Sequence, residues 1–107
     1  MRLYDVAHSR AGDKGTTVNV SLIAFDVSDY PWLERTVTAE RVSHHFGALA
    51  HGAVVRYTLP HLGAMNFVFE RPQGHSVTRS LALDTHGKSL SSWLLAMEIP
   101  EREHKET

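Results

Sequence analysis

Val55-Arg56-Tyr57-Thr58-Leu59-Pro60-His61-Leu62-Gly63-Ala64-Met65-Asn66-Phe67-Val68-Phe69 is the stretch that decides the fold. Val55, Tyr57 and Leu59 alternate with Arg56 and Thr58; Met65, Phe67 and Phe69 alternate with Asn66 and Val68. Alternation of this kind marks a strand, because successive side chains leave opposite faces of a sheet. Residues 60–63 leave room only for a compact turn, so the two strands must pair antiparallel. A tight hairpin in mid-chain argues for an α+β sandwich and against a parallel α/β sheet.

Upstream, residues 17–25 repeat the signal. Val18, Val20 and Leu22 fall on one face and Thr17, Asn19 and Ser21 on the other, and the closing run Ile23-Ala24-Phe25 predicts a far end buried on both faces. Leu3, Tyr4 and Val6 predict a short strand before it. Between the 17–25 strand and the hairpin the period changes. Asp29 suits an N-cap with Pro31 in the first turn, and Trp32, Leu33 and Val37 give a helical stripe. Thr36-Val37-Thr38 is β-branched and weakens continuation. Thr38 can cap a second segment, residues 39–46, with Val42 and Phe46 on one face and Gly47 at its left-handed end. One broken helix or two short ones are expected.

Downstream, Pro72 and Gly74 mark residues 71–76 as a loop, Leu81 and Leu83 read as a short strand entering a turn at 84–87, and a helix over 77–86 competes with that strand. Ser89 then caps a helix with the stripe Leu90, Trp93, Leu94 and Met97, stopped by Pro100. Trp93 and Leu94 are expected to pack on the face that carries Val18, Val20 and Leu22. The whole reads as a two-layer α+β sandwich: a mainly antiparallel sheet of four or five strands with helices on one face. Residues 1–100 form one domain in this reading, and 101–107 a charged, disordered tail.

With 107 residues the chain can bury one modest core. Eleven Lys and Arg against twelve Asp and Glu give a net charge of −1, too little to steer a nucleic acid or to hold an anionic membrane. No apolar run is long enough to span a bilayer, and the first residues lack the apolar core of a signal peptide. Neither a nucleic acid nor a membrane is expected as a partner. Cysteine is absent, which removes disulfides and thiolate metal sites and fits a reducing cytoplasm. The eight histidines show no metal-binding spacing, so neither a metal nor a cofactor is expected. His44 and His45 are consecutive in the second helical segment and diverge by about 100°; a solvated helix end accounts for them.

The chemistry concentrates in His8-Ser9-Arg10-Ala11-Gly12-Asp13-Lys14-Gly15. His8 and Ser9 point to opposite faces of extended backbone and make a poor nucleophilic dyad, whereas His8 and Arg10 share a face and can grip an anion. The spacing is not that of a Walker loop, and a strand follows instead of a helix. Two readings stay open. In one, residues 12–15 are a structural hairpin turn with Asp13 bonded to its own backbone. In the other, His8, Ser9, Arg10, Gly12, Asp13, Lys14 and Gly15 form an anion nest for a phosphate, pyrophosphate or carboxylate. Asn66, on the polar face of its strand, either contributes to that site or is a satisfied sheet amide.

The same eight residues resemble the signature of the small ferredoxin-fold domain of the AtuA-like family, named for acyclic terpene utilisation in bacteria. Tyr30-Pro31-Trp32-Leu33, Arg56-Tyr57 leading to Pro60, Asn66-Phe67-Val68, and Thr78-Arg79-Ser80-Leu81 with His86-Gly87-Lys88 are similar to it too, so the resemblance covers residues 2–99. Residues 69–77 depart from it in being less rich in glycine. The domain occurs at the C-terminus of a larger protein or as a separate short chain. The resemblance implies a ferredoxin-like sandwich and a place in acyclic terpenoid or branched acyl-CoA catabolism beside a larger AtuA-like chain. Two functions are therefore expected to compete: an accessory or assembly subunit of that larger chain, and an independent small binding module or enzyme for an anionic metabolite such as an acyl-CoA. A homo-oligomer, by default a two-fold dimer, is also expected, through an uncovered sheet face carrying Ile23, Phe25, Val54 and Val68.

Overall fold

The computed structural model describes residues 1–71 and 90–101. The central hairpin forms as its alternation requires: β4 (His51–Leu59) pairs antiparallel with β5 (Ala64–Glu70), and Arg56 stands opposite Phe67. The link is a 3-10 turn, Pro60–Leu62, closed by Gly63 in the left-handed region at φ 63 and ψ 37. β5 also pairs antiparallel with β3 (Thr17–Ala24), so it lies between β3 and β4. Two parallel strands joined through helices, with a third strand inserted between them, make the split β-α-β arrangement.

The other edge is built by the N-terminal segment. β1 (Ala7–His8) and β2 (Ala11–Lys14) both pair antiparallel with β3, giving a five-stranded sheet. His8 lies opposite Ile23 and Ala11 opposite Val20, so the register runs unbroken through the gap. At the gap the Ser21 hydroxyl takes over a ladder bond: it accepts from the Arg10 N–H at 3.1 Å, while the Ser21 N–H donates to the Arg10 carbonyl at 2.8 Å. One expectation changes here. Leu3, Tyr4 and Val6 are not a strand; residues Leu3–Asp5 form a 3-10 turn that sends Leu3 into the core and leaves Tyr4 outside. The strand begins only at Ala7.

The helical region is two short helices, α1 (Tyr30–Thr36) and α2 (Ala39–Phe46). The break falls at the β-branched run. Asp29 holds the N-cap position of α1, and the Thr38 hydroxyl accepts from the Arg41 N–H at 3.1 Å to cap α2. Gly47 ends α2 at φ 56 and ψ −126, a conformation open to glycine and not the left-handed helical one expected. α3 (Leu90–Leu95) follows the undescribed stretch, within which the expected loop beyond Arg71, the short strand, its turn and the Ser89 cap all fall. α3 ends well before Pro100, because the backbone turns there to meet the N-terminus: the Leu3 N–H donates to the Met97 carbonyl at 3.1 Å, and the Ile99 N–H to the Met1 carbonyl at 2.8 Å.

Helices cover one face of the sheet. Val18, Val20 and Leu22 of β3 and Met65, Phe67 and Phe69 of β5 meet Leu33, Val37, Val42, Phe46 and Leu94, all essentially buried. Leu94 belongs to this core as expected, but Trp93 does not: it is 39% exposed. It clasps α2 instead, its indole N–H donating to the His45 carbonyl at 3.3 Å while His45 Nε2 meets the Trp93 carbonyl at 2.7 Å. His45 is thus an inter-helix contact, not a solvated helix end. One charge enters this layer. Arg56, on the covered side of β4, donates to the carbonyls of Glu34 at 2.6 Å and Val37 at 2.9 Å, capping the C-terminal end of α1.

Candidate functional site

Register assigns every strand residue to a face. His8, Arg10, Gly12 and Lys14 of the N-terminal segment share the helix-free face with Thr17, Asn19, Ser21 and Ile23. Across β5 and β4 the same face continues with Ala64, Asn66, Val68 and Glu70, then Val55, Tyr57 and Leu59. Five of the eight sequence-predicted residues are therefore brought together: His8, Arg10, Gly12, Lys14 and Asn66. Ser9 and Asp13 turn to the other side, as alternation requires, and the buried Ser9 hydroxyl has no bond to His8. Gly15 sits in the turn, at φ 67.

The site divides into two halves of different character. At the hairpin tip, Lys14 pairs with Thr17, leaving a two-residue connection, Gly15-Thr16. Such connections need a positive φ at their first residue, which glycine supplies without strain. Side chains then staple the tip to the end of β5. The hydroxyls of Thr16 and Thr17 donate to the two Glu70 carboxylate oxygens, each at 2.9 Å, and the Arg71 N–H donates to the Thr16 carbonyl at 2.6 Å. Asp13 accepts a charge-assisted hydrogen bond from the Arg71 guanidinium. Gly12 is in strand, and a side chain there would meet the Asn19 amide at 3.5 Å, an ordinary van der Waals contact. Residues 11–14 are paired to β3, so a nest of free, converging N–H groups is not formed. The tip is a hairpin in which Asp13 bonds Arg71 and not its own backbone.

The second half is open. Arg10 lies opposite Ser21, Ser21 opposite Asn66, and Asn66 opposite Tyr57, so one row crosses the whole sheet. Among the described residues the side chains of Arg10, Asn66 and Tyr57 make no hydrogen bond or ion pair, and Arg10 and Tyr57 are exposed. Glu70 is the one carboxylate that the described strands place on this face, and the two threonines occupy it. The row below is apolar, with Ile23, Ala64 and Leu59 in line. His8, at the end of that row, stacks on Phe25 with ring centroids 5.5 Å apart and planes at 15°. Phe25 is 64% exposed, not buried as the apolar run implied. Val54 is likewise misplaced by expectation: it is buried on the covered side of β4, the side of Arg56, while Val55 stands on the open face opposite Val68.

Sequence reasoning named Asn66, the N-terminal cations and, as part of a contact face, Phe25, but missed Ser21 and Tyr57. The signal for Tyr57 was present: it and Asn66 stand almost symmetrically about the hairpin turn, so they must be neighbours in an antiparallel pair. On the helical side, a groove of about 470 Å³ runs between α2 and residues 96–98. Its walls mix Glu40 and Glu98 with Arg41 and His44, which favours no one charge of ligand. No metal-binding cluster occurs among the described residues, and no helix among them is long and apolar enough to cross a membrane.

An antiparallel sheet of split β-α-β order, roofed by helices on one face and open on the other, defines a ferredoxin-like domain. The term describes topology alone; with no cysteine the chain offers no thiolate to an iron–sulfur cluster. The chain belongs to the AtuA ferredoxin-like domain family, whose model matches residues 1–100. Comparison with curated proteins and with solved structures gave no match.

Proposed function

We propose that the domain is an accessory subunit that docks through its open sheet face on a larger AtuA-like chain, in the catabolism of acyclic terpenoids or branched acyl-CoA compounds. One observation carries the docking: Val55 at 45%, Tyr57 at 55% and Leu59 at 39% exposure share a face of β4 that no helix among the described residues covers. With Phe25, Ile23 and Val68 they make an apolar surface rimmed by His8, Arg10 and Lys14, the composition of a protein contact. The family supports the choice of occupant, since a small chain with its helices already spent on one side needs a second surface to cover the other.

Area also bears on the occupant. Four strands about 4.8 Å apart and roughly 27 Å long project roughly 500 Å². A standard interface takes about 800 Å² from each partner. The face alone therefore suits weak self-association, with a two-fold dimer as the default form in isolation, and permanent contact with a larger chain that also reaches round an edge. Co-purification with a tagged larger AtuA-like chain tests this. Wild type is expected to be captured and Tyr57→Glu, which puts a charge in the middle of the face, to be lost; capture of neither, or of both equally, rejects the proposal.

A second reading has an observation of its own. Arg10, Lys14, His8 and Asn66 share that face while its carboxylate is occupied, so the face can also take an anionic metabolite, an acyl-CoA being the kind expected from the sequence.

A further inference from the structure

We infer that the Arg10–Ser21–Asn66–Tyr57 row is a subsite for a carboxylate carried on an aliphatic body. This deepens the second reading of the open face and does not depend on docking. The selection among anions follows from which donors are free. A phosphate cradle needs converging backbone N–H groups, and along the extended, paired backbone of residues 11–14 successive N–H groups point to opposite sides. Lys14 stands at the tip, in the row of Thr17 and the stapled Glu70 and away from that of Arg10 and Asn66. What is left is a guanidinium, a carboxamide and a phenol, a set that matches the plane and the two oxygens of a carboxylate.

Position supports the same assignment. Arg10 and Asn66 stand two strands apart, roughly 10 Å between backbones. A fork of that reach can lie over Ser21 and meet an oxygen that also accepts from the Asn66 amide, with Tyr57 donating from the far side. The backbone beneath the fork is fixed, because the Ser21 hydroxyl both accepts from the Arg10 N–H at 3.1 Å and donates to the Arg10 carbonyl at 3.2 Å. That arrangement lowers the ordering cost of binding. The ligand's body then has an apolar place to lie, the adjacent row in which Ile23 and Leu59 flank the buried Ala64, with the His8–Phe25 stack at its end.

The test is a side-chain NMR titration of the intact chain with sodium butyrate, with inorganic phosphate at matched ionic strength as the second arm and coenzyme A as the third. Butyrate is expected to shift the Arg10 Nε–H and Asn66 Nδ2–H₂ signals along a saturable curve in the millimolar range. Arg10→Gln should weaken that curve at least tenfold, since among the described residues the guanidinium has no partner whose loss would disturb the fold. Tyr57→Phe should weaken it less. Absence of saturation with butyrate overturns the inference, as does an unchanged curve in Arg10→Gln. A phosphate response equal to the butyrate one also overturns it and favours a general anion site; a response to coenzyme A alone favours an acyl-CoA nucleotide contact instead. None of these outcomes bears on capture of the larger chain, and failure of that capture leaves the carboxylate subsite standing.

Discussion

Trp93 and Leu94 are neighbours in α3 with opposite roles. Leu94 is fully buried between the helices and β3, whereas Trp93 lies over His45 at the surface. Leu94→Ala should lower stability by about 2–5 kcal/mol, the range for a leucine removed from a core. Trp93→Ala removes one indole bond and a half-exposed ring and should cost about 1–2 kcal/mol. Urea midpoints of the two variants give the order directly; a larger loss at Trp93 would contradict it. Tyr30 makes a second residue-scale prediction. Burial raises its phenol pKa above 10.0, with the nearby Glu34 carboxylate adding to the rise and Arg56 and Thr58 opposing it. The folded state therefore keeps a proton that the unfolded chain gives up. Stability should be whole below about pH 10 and fall as pH rises through the raised value. Tyr30→Phe should flatten that alkaline decline in thermal melts; a decline identical in both would show that Tyr30 is not its source. These residue-level details were only half legible in the sequence. The stripe fixed which turn of α3 faces inward, but a stripe cannot distinguish its centre, Leu94, from its rim, Trp93. Arg56 reads as the polar half of a strand alternation, and nothing local tells that its fork reaches the open end of α1.

Among elements, the β2–β3 hairpin is the one most worth perturbing. Its connection turns on Gly15 at φ 67, and no heavy atom lies within 4 Å of where a side chain would begin. Gly15→Ala therefore meets no clash, and its cost is the left-handed backbone alone, about 1–2 kcal/mol. Amide exchange should quicken at Lys14 and Thr17 and remain slow at Phe67 in the centre of the sheet. Slow exchange throughout would show that the Glu70 and Asp13 staples hold the tip without help from the turn. β3, β5, α1 and α2 were all legible because each buries one face and so keeps a clear period, and β4 was legible from its alternation although Val54 is its one buried residue. β2 was read as a loop because its four residues are all exposed: with no face to bury, Ala11-Gly12-Asp13-Lys14 carries no alternation. Its strand character comes from β3, which offers it a paired edge. The same cause hid half of the candidate site, since sequence can cluster charges but cannot show that alternate ones leave by opposite sides.

At the scale of the molecule, the one-sided roof makes self-association the property to measure. Light scattering at micromolar concentration should give a mass above that of one chain that falls towards it on dilution, and Tyr57→Glu should give one chain throughout. A wild type of one chain at every concentration would remove the dimer and leave the larger partner as the remaining occupant. The layered α+β architecture was legible from one hairpin and the change of period on either side of it. The open face was expected too, though Val54 was assigned to it in place of Val55: alternation separates the two faces of β4, and the more apolar set, Val55, Tyr57 and Leu59, is the outward one. One further consequence follows from the way the backbone closes. Met1 and Ile99 share a hydrogen bond, and an isolated bridge joins Arg2 to Glu98, so the polypeptide enters and leaves the domain at a single corner. Topologically it is nearly a ring. It could be spliced into a surface loop of a host protein through short linkers, or reopened at another turn after its two ends are joined, and the sheet would keep its registers in either case.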